Sequence, residues 1–106
     1  MSNSKSYLIY QHDLLGKMAD RLMKNFGIQS DEKAHQFYEI QSNRNNALMD
    51  KKSLAQAAFI ADLDKRLARA IQPYQMDIFD GEMLGQIMLE KMALMHALES
   101  YDETAH

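Results

Sequence analysis

The amino-acid sequence predicts an all-α protein, a small antiparallel bundle of four helices, and three observations carry that expectation. One proline and four glycines in 106 residues are too few for the tight turns that an all-β domain needs. Met, Leu, Ala, Gln, Lys and Glu are plentiful, and all are good helix formers. Apolar residues also recur at the three-and-four spacing of a helix along most of the chain.

The first segment, Ser6 to Phe26, has the cleanest pattern. At about 100° per residue, Tyr7, Leu8, Leu14, Leu15, Met18, Ala19, Leu22, Met23 and Phe26 fall on one half of a helix. Asp13, Lys17, Asp20, Arg21 and Lys24 fall on the other half, with Asp13–Lys17 and Asp20–Lys24 as acid-before-base pairs four apart. Gly27 follows where a helix commonly ends in a left-handed residue. The second segment opens with Ser30 as N-cap and Asp31 and Glu32 in the first turn, matching the positive helix end. Its apolar face is thin: Ala34, Phe37, Tyr38 and Leu48, with Gln41 and Asn45 on the same side. The third segment, Ser53 to Ile71, places Phe59, Ile60, Leu63, Leu67, Ala70 and Ile71 on one arc and is stopped by Pro73.

Between the second and third segments the sequence leaves two readings. No Gly or Pro occurs from Ile28 to Gln72. Either Ser53 caps a new helix after a break near Asp50, or residues 31–72 form one helix of about 40 residues, roughly 60 Å long. The second reading gives three helices with one long central member, whose stripe only a dimer would bury. The break is preferred, because globular helices are much shorter than this. The fourth segment, about Asp80 to Tyr101, has Asp77 or Asp80 as cap. It carries Met83, Met88, Met92 and Met95, with Met76 just before it. Its apolar arc spans about half the circumference, against the roughly 100° stripe of a one-sided helix.

Length makes this a single domain over residues 1–106, with frayed ends at 1–5 and 102–106. An apolar share of 46% argues against disorder. The absence of cysteine rules out disulfides and thiolate metal sites. The apolar run near the N-terminus lasts only from Tyr7 to Tyr10, too short for a signal peptide or a spanning segment. A cytoplasmic protein with no membrane role is therefore expected. The net charge of −3 is unevenly placed. Residues 1–72 carry eleven basic and eight acidic side chains, whereas from Pro73 onward only Lys91 opposes seven acids. This asymmetry favours docking of the last helix on the rest, or an acidic face for a partner.

Several chemical constellations are weak. Glu32 and His35 form one Glu-x-x-His, but a second copy and the further glutamates of a dinuclear centre are missing, so neither metal nor cofactor is expected. Phe26-Gly27-Ile28 resembles the turn of a helix-turn-helix, yet the second helix opens with Asp31 and Glu32, which repel phosphate. Lys17, Arg21 and Lys24 form a basic patch that keeps nucleic-acid binding as a disfavoured alternative. The four histidines lie on separate segments, with His12 read as a packed, hydrogen-bonded imidazole. Gly81 and Gly85 lack the Lys-Ser/Thr of a phosphate loop. Catalysis is not expected.

The remaining feature is the methionine-rich fourth helix. Methionine is flexible and polarizable and adapts to varied partner surfaces, although filling core gaps is its commonest use. Lys91 in mid-arc is costly to bury unpaired. The sequence thus points to a seam formed by Leu84, Met88, Lys91, Met92 and Met95, with core on one side and a partner on the other. The expected function is non-enzymatic: a helical interaction module that binds a protein partner or itself, most simply as a homodimer.

Overall fold

The computed structural model describes residues 4–49 and 54–104. Four helices hold nearly all of them: α1 (Lys5–Phe26), α2 (Asp31–Met49), α3 (Leu54–Ile71) and α4 (Ile78–Thr104). No strand occurs among the described residues, and the fold is the all-α bundle that the apolar spacing predicts.

Local chemistry sets each boundary. Ser4 caps α1 by accepting a hydrogen bond from the Tyr7 N–H at 3.2 Å. At the other end Gly27 adopts φ 73°, and the Ile28 N–H reaches back to the Met23 carbonyl at 2.8 Å. That is the Schellman closure, in which the left-handed residue turns the chain and seats the following apolar side chain; Ile28 is accordingly buried. Ser30 caps α2 through the Lys33 N–H at 3.2 Å. At the start of α4, Asp77 accepts from the Asp80 N–H at 2.8 Å while Asp80 accepts from the Asp77 N–H at 3.2 Å. Such a reciprocal capping box satisfies two orphan donors at once.

The helices stack in the spatial order α1, α4, α2, α3, so the last helix in sequence is central. The molecule is flat, 46 × 37 × 21 Å, its short dimension near two helix diameters. α1 and α4 run antiparallel: Gly16 lies beside Lys91, Leu15 beside Leu94, and Ala19 and Met23 share a cleft with Met88. α2 lies across α4 where Gly81 and Gly85 remove side chains from the crossing. A Cβ at Gly85 would fall 2.5 Å from the Phe37 carbonyl oxygen and 2.7 Å from Gln41 Cβ. At Gly81 it would fall 2.7 Å from Ile71 Cγ2 and 2.9 Å from Leu67 Cδ1. The glycines that fail as a phosphate loop thus set the closest approach in the core.

α2 and α3 are separate antiparallel helices, which overturns the reading of one long central helix. The Gln56 side chain donates to the Ala47 carbonyl at the end of α2. Arg44 lies 3.5 Å from Asp64, whereas twenty residues of continuous helix would place them about 30 Å apart. The expected break at Asp50 and cap at Ser53 lie outside the described residues. Arg44 also pairs with Glu82 on α4, so one guanidinium ties three helices. A chain of amides adds to the α2–α4 contact: Gln41 donates to Asn45 at 3.0 Å, and Asn45 donates to Gln86 at 3.1 Å. The link to α4 is a 3-10 turn, Gln72–Tyr74, with Pro73 inside it and Gln75 left-handed at φ 57°.

Phe37, Leu63 and Leu84 are the large, fully buried side chains. Phe37 sits at the junction, against the glycine pair and tilted on the Tyr74 ring at 6.5 Å between centroids. The structure departs from several expected core positions. Leu48 and Phe59 are exposed, while Ile40 is buried, and Gln41, expected on the apolar side, is buried there. The cause is that α2 lies between two neighbours and needs two inner faces, one toward α4 and one toward α3, which no single stripe describes. Tyr7, Leu14 and Met18 are also outside the core, because α1 packs chiefly along α4 and only one strip of its wide apolar half is covered. α4 begins earlier and ends later than expected, and α1 already includes Lys5.

Candidate functional site

Two surfaces combine apolar side chains with exposure. The first is a cleft between α1, the first half of α2 and α4. It is lined by Ala19, Asp20 and Met23 from α1, Asp31, His35 and Tyr38 from α2, and Met88, Lys91, Met92 and Met95 from α4, with a volume of ≈ 220 Å³. Four of the five predicted seam residues therefore meet in one place. The fifth does not. Leu84 is 0% exposed and enclosed by its own chain, so it offers nothing to a partner. It lies one turn before Met88, beside Gly85, where α2 crosses α4.

Exposure in the cleft rises toward the C-terminal end of α4. Met88 and Met92 are half-buried and Met95 is 40% exposed. Lys91 is half-buried, its Cε and Nζ lying where a Cβ on Gly16 would be 3.7 Å away. The lysine stem thus runs beside α1 at ordinary contact distance and reaches the cleft, the snorkelling expected of a mid-arc lysine. His35 stacks on Tyr38 at 5.1 Å between centroids and lies 3.3 Å from Glu39, giving the opposite wall a flat, polar-tipped surface. Asp20 and Asp31 add acid to the rim.

The second surface is on α1, facing away from the core. Tyr7, Tyr10, Leu14 and Met18 are 46%, 63%, 45% and 43% exposed and fall within about 80° of one another on the helix. The Gln11 side chain donates to the Tyr7 hydroxyl at 2.8 Å and steadies that ring. Other exposed apolar residues are the pairs Leu48 with Met49 and Ile78 with Phe79 near helix ends, and the single residues Ile9, Phe59 and Tyr101. Sequence reasoning missed the α1 stripe because a helix with half its circumference apolar reads as core. The missing signal was that chiefly one neighbouring helix packs on it. The predicted basic residues Lys17, Arg21 and Lys24 are exposed along the edge of this stripe. Neither Asp13–Lys17 nor Asp20–Lys24 closes as an ion pair among the described residues.

Titratable chemistry is dispersed. No group of three or more His, Cys, Asp or Glu side chains able to hold a metal occurs among the described residues. His35 and His96 pair with Glu39 and Glu99 on their own exposed helix faces. His12 is packed, as expected, but its buried Nε2 has no hydrogen-bond partner. Its Nδ1 lies 3.8 Å from Asp13. No helix of the described residues is long and apolar enough to cross a membrane. No known protein family, curated protein or solved structure matches this chain. The molecule is thus an all-α bundle with a central α4, whose distinguishing features are a methionine-walled cleft and an apolar outer stripe.

Proposed function

We propose that the protein is a non-enzymatic, cytoplasmic interaction module, a subunit, adaptor or inhibitor that works by occupying another protein's surface and also associates with itself. One observation carries this reading: Met88, Lys91, Met92 and Met95 converge on one open cleft beside Met23. A volume of ≈ 220 Å³ is below the roughly 300–1,000 Å³ of pockets that enclose a small organic ligand. It suits one or two apolar side chains of a partner helix, and methionine walls adapt to their shape. From Met88 to Met95 the cleft extends about 10 Å, two helical turns. The acids Asp20 and Asp31 favour basic residues beside the partner's apolar anchors.

The test is a titration of protein carrying ¹³C-methyl methionine with a synthetic amphipathic helical peptide flanked by lysines. Met88, Met92 and Met95 are expected to shift together, and Met92→Glu to abolish the response. Shifts absent from all three methyls at millimolar peptide contradict the reading. A second reading, nucleic-acid binding, is favoured by Lys17, Arg21 and Lys24 standing exposed without ion pairs among the described residues. It is opposed by Asp31 and Glu32, exposed at the start of the helix that would enter the groove. A DNA duplex in place of the peptide separates the two, since it would perturb α1 amides and leave the cleft methyls still.

A further inference from the structure

We infer that the α1 stripe is the self-association surface: a second copy docks its own α1 antiparallel on Tyr7, Tyr10, Leu14 and Met18, about a two-fold axis at Leu14. The inference rests on the interaction-module reading and names the partner for the surface that the cleft does not use.

The chemistry of the stripe is complementary to itself in one orientation only. Its first half is aromatic (Tyr7, Tyr10), and its second half is a thioether and a cation (Met18, Arg21). An antiparallel pairing centred on Leu14 sets Tyr10 of each copy against Met18 of the other, and Tyr7 of each against Arg21. Sulfur–aromatic and cation–π contacts are the favourable pairings for those groups. On the flank, Asp13 of each copy comes within reach of Lys17 of the other, a pairing that does not close within one helix among the described residues, where Asp13 meets only His12. Parallel pairing would instead oppose Lys17 and Arg21 to their own copies, and like charges face to face repel. A two-fold contact uses the same patch on both chains, as closed dimers require.

The neighbouring structure admits the copy. Beside Leu14 the groove between α1 and α4 is lined by Gln11, Leu15, Glu90, Ala93 and Leu94, with a volume of ≈ 460 Å³. Ala93 keeps that wall low. At 22 residues, α1 is about 33 Å long, enough for the roughly 800 Å² per partner of a stable interface when the groove wall contributes.

Because the chain has no cysteine, single cysteines report the register directly. Leu14→Cys is expected to give a covalent dimer under mild oxidation. Tyr7→Cys and Arg21→Cys each form no covalent dimer alone and cross-link when mixed, and Ala61→Cys on the exposed side of α3 gives none. A charge exchange supplies a second readout: Asp13→Lys and Lys17→Asp each weaken self-association at least tenfold, and an equimolar mixture of the two restores it. Cross-links at Ala61→Cys as readily as at Leu14→Cys overturn the inference, as does failure of the Tyr7→Cys and Arg21→Cys mixture. In both cases the cleft reading stands or falls separately on its methionine shifts.

Discussion

Gly16 and Gly85 are both helix-interior glycines, yet their surroundings make opposite predictions. A Cβ at Gly16 meets only the end of the Lys91 side chain at ordinary contact distance, 3.7 Å. Gly16→Ala is therefore expected to stabilise the protein by up to about 1 kcal/mol, the gain in helix propensity. A Cβ at Gly85 meets backbone, the Phe37 carbonyl oxygen at 2.5 Å. Gly85→Ala must push α2 and α4 apart, and the expected loss is about 1–3 kcal/mol despite the same propensity gain. Urea denaturation of the two variants checks the pair. Equal effects would mean that α2 does not approach α4 through the glycines.

The elements differ in how well the sequence announced them. α1, α3 and the cap of α2 were legible because each combines a 3.6-residue apolar period with a local stop or start: Gly27, Pro73, Ser30. α2 was legible as a helix but not as a packing element. Its inner faces are divided between α4 and α3, and beyond Ile40 the contacts are made largely by Gln41, Asn45 and Arg44. The same division explains why Phe59 was misplaced while Phe37 was not. Phe37 faces the crossing of three elements, whereas Phe59 lies 45% exposed. Phe37→Ala is expected to cost about 3–5 kcal/mol. Phe59→Ala should cost about 0.5 kcal/mol or less, the range for surface changes. Thermal melts of the two variants decide. A large loss at Phe59 would show that α3 is covered by something outside the described contacts.

At the scale of the whole molecule, the order α1, α4, α2, α3 decides where the candidate surfaces are. Placing α4 between α1 and α2 encloses Leu84 and leaves Met92 and Met95 lining the cleft. The half-apolar circumference of α4, read in the sequence as a seam with a partner, is mostly consumed within the chain. The excess that remains falls on α1 instead, the outermost helix with one main neighbour. That outcome could not be read from residue spacing, because exposure depends on how many elements pack on a helix, and the sequence shows only how many apolar residues it carries. The acidic balance after Pro73 is visible in the fold at Glu82, which meets Arg44 from α2.

Sedimentation equilibrium over a wide concentration range tests the central claim most directly, with the native chain beside the double variant Leu14→Glu, Met18→Glu. Both substituted side chains are exposed, so helicity is expected to be unchanged. The account predicts a reversible dimer for the native chain and a monomer for the variant. A native chain that stays monomeric throughout, or a variant that still dimerises, contradicts it.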